Sequence, residues 1–77
     1  MQGSETQRRH ESMYQKTIDG ALRGIETGSF TDEGAARVLT GLRAELGQCI
    51  ELLLISPEFY SLQMARLQED VALVMQR

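Results

Sequence analysis

Cys49 and His10 are the two side chains in the sequence best suited to nucleophilic chemistry, each the only residue of its type. A thiolate beside an imidazole base would be a reactive pair. Their settings argue against it. Cys49 falls in an apolar series, where a small hydrophobic residue serves equally well and the thiol is expected buried and inert. His10 lies in a polar stretch and reads as a solvated surface residue. The carboxylate pairs Asp32-Glu33 and Glu69-Asp70 have similarly plain explanations. The first suits the positive end of a helix dipole, and the second is expected on the wet face of a helix. Neighbouring helical positions point about 100° apart, so neither pair converges on one substrate atom.

No Glu-x-x-His pair is present for a helical di-metal site, and no cluster of soft ligands surrounds His10, so neither a metal nor a cofactor is expected. Gly20, Gly24 and Gly28 follow no strand and so make no phosphate-binding loop. Their spacing of four lines one helix face, which allows either close backbone packing or a C-terminal cap at Gly28. Arg23, Arg37, Arg43 and Arg66 could hold an anionic substrate if subunits paired, although the periodicity puts them mainly on solvent faces.

The elements that must position these groups are helices. Ser4 and Gln7 have the spacing of a capping box. Tyr14, Ile18, Ala21 and Ile25, with Leu22 alongside, then form one apolar helix face. Upstream of Met13 that face turns polar at Gln7 and His10, so residues 1–12 are expected to fray or project into solvent. Thr31 opens a second segment as its cap, with Phe30 packing back as a staple. Ala35, Leu39, Leu42, Leu46, Cys49 and Leu53 follow at unbroken 4-3-4-3-4 spacing, a heptad seam. Ser56-Pro57 marks a break and a new helix start, after which Tyr60, Met64, Leu67, Val71 and Val74 repeat the period. The spacing predicts helices over 5–27, 32–55 and 57–76. The expected fold is all-α, a single domain over 1–77: a three-helix antiparallel bundle, or a helical hairpin plus a third helix, that self-associates. In outline, without a shared residue motif, such a hairpin resembles small co-chaperones of bacterial secretion systems.

Composition narrows the function. The 77 residues carry a net charge of −3, and the eight basic residues are scattered rather than striped, so no nucleic acid is expected as partner. Strictly apolar runs such as Leu52 to Ile55 are far short of the ~20 residues of a membrane span. A lone cysteine and no signal-peptide stretch point to the cytoplasm. A chain this short buries only roughly 60% of its unfolded surface. With no disulfide possible within the chain, a second copy or a partner protein is the stabiliser left.

Apolar residues beyond the seams mark where that contact would lie. Leu54, Ile55, Phe59 and Leu62 gather around the corner where the second helix ends and the third begins. They are the expected partner-binding residues, unless chain reversal turns Leu54 and Ile55 into core. The reading is a non-enzymatic protein–protein interaction module: an adaptor, small chaperone or co-chaperone, or regulatory subunit, binding through apolar helix faces. The alternatives are a helix-turn-helix DNA-binding regulator, whose reading helix would begin unusually with Glu58, Phe59 and Tyr60, and a small dimeric helical enzyme that holds an anion through arginines.

Overall fold

The structure, a computed structural model, describes residues 4–76. It contains three α-helices, α1 (Ser4–Glu26), α2 (Asp32–Glu51) and α3 (Pro57–Gln76), and no strand among the described residues. Ser4, expected to cap the first helix, falls within α1, and its side chain lies outside the described residues.

Each helix boundary has a local cause. At α1 the chain leaves the helix through Gly28 at φ 77°. The Ser29 amide donates to the Gly24 carbonyl and the Gly28 amide to that of Ile25, the paired bonds of a Schellman cap. Thr31 then caps α2, its hydroxyl accepting from the Gly34 amide at 3.0 Å. Ser56 does the same for α3, accepting from the Phe59 amide at 3.1 Å, with Pro57 at the first helical position, where a missing N–H costs nothing. Phe30 packs onto the core with its ring against Gly24, where an added Cβ would come within 2.6 Å of the ring. That close approach, and not a stripe of three glycines, is the packing role in the series: a Cβ at Gly20 would meet nothing within 4 Å.

The helices run up, down and up. Tyr14 of α1 meets Glu45 of α2, as expected of antiparallel neighbours. Glu11, Gln15 and Asp19 meet Ser56, Gln63 and Arg66 in the same order, so α1 and α3 are parallel. The most extensive contact is between α2 and α3. The core is Ile18, Leu22 and Ile25 of α1; Ala35, Leu39, Leu42, Leu46 and Cys49 of α2; Ile55; and Leu67 and Val74 of α3. Because Glu11 is level with the start of α3, the seven residues from Ser4 to His10 carry α1 roughly 10 Å further. Glu5, Thr6, Arg8 and Arg9 are exposed there.

Two expectations are corrected. The second helix stops at Glu51 rather than at residue 55, and Leu53, read as the last residue of the heptad seam, points out to solvent. The chain has to reverse before Pro57, which disfavours helical geometry in the residue ahead of it. By turning early it delivers Ile55 to the core in place of Leu53. The third helix is also rotated from its expected face. Its buried line is Gln63, Leu67, Asp70 and Val74, while Tyr60, Met64 and Val71 are half-buried. α3 packs against both other helices, so its buried arc is wider than one apolar stripe. Asp70, placed by the sequence on a wet face, is therefore buried.

Candidate interaction surface

The corner between α2 and α3 is built from the cap that ends α2. The Leu53 amide donates to the Ile50 carbonyl at 3.1 Å and the Leu54 amide to that of Cys49 at 2.9 Å. This is again the Schellman pattern, and it requires a left-handed backbone at Leu53, whose φ is 60°. Glycine takes that geometry freely, whereas a side chain there costs roughly 1–2 kcal/mol. The conformation also turns the leucine outward: Leu53 is 76% exposed and its neighbour Leu52 68%.

The four residues expected at this corner separate in the structure. Ile55 is 0% exposed and belongs to the core, so it has no surface to offer. Leu54 and Phe59 are half-buried against that core, with part of each side chain at the surface. Leu62, in the second turn of α3, is 60% exposed. Leu52 and Leu53, which the sequence reading assigned to the helix rather than to the corner, are the most exposed large apolar residues described. Leu53 was hidden by the seam, since its spacing is correct for burial. The signal that could have exposed it is Pro57, four residues on. Met13 of α1 and Leu73, near the far end of α3, are exposed as well, as single apolar surface residues commonly are.

The groups considered for chemistry are dispersed. Cys49 is a free, buried thiol. It faces Tyr14, whose hydroxyl donates to Glu45 Oε1 at 3.1 Å and is pushed well above the ordinary tyrosine range, first by hydrogen bonding to Cys49, then by burial and by Glu45. His10 turns back on its own helix, with Nδ1 2.9 Å from the Thr6 carbonyl. Of the four arginines, Arg23 and Arg37 are exposed, and Arg37 lies 3.8 Å from Glu33 within one helix. Arg43 lines a separate hollow between α2 and α3 with Leu39 and Val71.

Arg66 is committed to a closed ring that sequence reasoning missed. Its guanidinium donates to Asp19 Oδ1 at 2.7 Å and to Gln63 Oε1 at 3.0 Å. Gln63 donates in turn to Gln15 at 3.1 Å, and Gln15 donates to Asp19. Each amide thus both gives and receives, which satisfies the fully buried Gln63. Arg66, and secondarily Gln15, hold the Asp19 carboxyl below the usual carboxylate range. The ring fixes the register of α1 on α3.

No helix among the described residues is long and apolar enough to cross a membrane, and no group of their His, Cys, Asp or Glu side chains could hold a metal ion. No family model matches the chain, and no curated protein or solved structure is significantly similar to it.

Proposed function

We propose that this chain is a protein-interaction module whose contact surface is the α2–α3 corner, centred on Leu53. One observation carries the reading. Leu53 holds a backbone conformation suited to glycine while exposing 76% of its surface. Within the monomer the side chain brings strain and wet apolar area, and little burial in return. Strain kept at an exposed residue is a reason to look for a role outside the chain. Leu52 beside it and Leu62 at the same end of the bundle extend the apolar area, the usual mark of a protein contact.

The partner that fits is the apolar face of a helix, laid against Leu52, Leu53 and Leu62 with Leu54 and Phe59 at their margin. An adaptor, small chaperone or regulatory subunit would work this way, and a second copy of the chain could supply the same chemistry. Replacing Leu62 with Glu tests the reading without touching the strained residue. Leu62 is exposed, so the variant should remain as helical as the parent by circular dichroism while losing association in sedimentation and in capture from cells. Undiminished association would remove the corner from consideration.

A further inference from the structure

Far from the corner, a cleft between the C-terminal half of α1 and the facing turns of α3 holds polar groups that the chain's own contacts leave unused. Its volume is about 300 Å³, and Asp19, Glu26, Glu69 and Asp70 line it together with Arg23 and Arg66. Asp19 and Arg66 are tied to each other in the ring already described. Asp70 is not tied to anything. It is only 7% exposed, and its Oδ2 is shut off from solvent without a hydrogen-bond partner. Buried carboxylate oxygens are nearly always paired, so an orphan calls for an explanation. Burial, then Glu26 and Glu69, push the Asp70 carboxyl above its ordinary range, with Arg66 pulling the other way.

We propose that this cleft binds an organic cation carrying a primary ammonium group, with Asp70 as its main acceptor and Glu26 and Glu69 completing the set. The four carboxylates outnumber the two guanidiniums, one of which is already paired, so the cleft has acceptors to spare and repels anions. An ammonium has three donors that rotate to suit three acceptors, whereas a guanidinium demands a planar fork. Leu22, which also lines the cleft, offers an apolar surface for the methylene chain behind the charge. Two sources share this chemistry, a free aliphatic diamine and the lysine side chain of a protein. Asp70 lies about 12 Å further along α3 than Leu62, so this inference stands apart from the role proposed for the corner.

The probes are 1,4-diaminobutane and Nα-acetyl-lysine amide, titrated separately into the intact chain while carboxyl carbons are followed by NMR. Binding should lower the pH at which Asp70 titrates, because a bound cation favours the ionised carboxyl. Asp70→Asn should weaken binding by about tenfold or more, and Glu69→Gln, at an exposed position, by a few-fold. Glu58→Gln removes the same charge outside the cleft and should change affinity by less than about twofold. Tighter binding of the diamine identifies a diffusible ligand, and equal binding identifies a lysine side chain. An Asp70 titration that neither probe moves at ~10 mM, a concentration that reveals even weak sites, would overturn the proposal. So would a loss on Glu58→Gln equal to that on Asp70→Asn, which would mean general attraction to an acidic protein.

Discussion

Leu53 occupies at the end of α2 the backbone position that Gly28 occupies at the end of α1. Both are left-handed, at φ 60° and φ 77°, and both sit between the same pair of cap hydrogen bonds. One position has the residue suited to the geometry and the other does not. Exchanging them should have opposite effects. Leu53→Gly relieves the strain and should raise stability by about 1 kcal/mol, while Gly28→Ala introduces it and should lower stability by a similar amount. Chemical denaturation of the two variants measures both shifts.

Glycines inside the helices should divide according to what surrounds them. Gly20 and Gly41 face open space, so alanine at either should stabilise the chain by about 1 kcal/mol through helix propensity alone. Gly24→Ala should show no such gain, because its methyl group has to displace the Phe30 ring. Comparing the three melting temperatures checks the assignment of Gly24 as the packing residue.

The two buried or bridged aspartates should respond to acid in opposite senses. Asp70 binds its proton more tightly folded than unfolded, so its contribution is fully present below the ordinary value of 3.8 and is lost as pH rises through the folded pKa. Asp70→Asn should therefore be more stable than the parent at pH ~7, with the advantage shrinking on acidification. Asp19 is shifted down, so its contribution is present above 3.8 and is lost as pH falls through its lower folded pKa. Arg66→Met should weaken that dependence, leaving the smaller share that Gln15 holds. Denaturation midpoints across a pH series, read for both variants, test the two signs.

Much of this architecture is legible in the sequence because it depends on local rules. The caps at Thr31 and Ser56 and the seam from Ala35 to Cys49 follow from spacing and turn chemistry over a few residues. What escapes is set by contacts between distant segments. Nothing in the residues around Gln63 marks it for burial; its partner Gln15 is 48 positions away. Asp70 reads as solvated until α1 covers its side of α3. The corner was legible as a region, since its excess of apolar residues is plain, but its membership depended on where α2 stops. A one-turn difference there exchanged Ile55 for Leu53 between core and surface.

Cys49 should behave as a core residue. A thiol reagent should modify it slowly in the native chain and rapidly in denaturant. Cys49→Ala should cost about 1 kcal/mol, at the lower end of large-to-small core substitutions because little volume is removed. Fast labelling of the native protein, in a stopped assay of thiol loss, would mean the α1–α2 contact around Tyr14 opens readily.

The central claim is that Leu53 serves a contact outside its own chain, and the direct measurement is capture from cells with tagged parent and tagged Leu53→Gly, scoring every specifically bound protein and including an untagged second copy of the chain. The account predicts that the glycine variant, although more stable, loses the partner that the parent retains. Equal recovery of the same partner by both chains would contradict it.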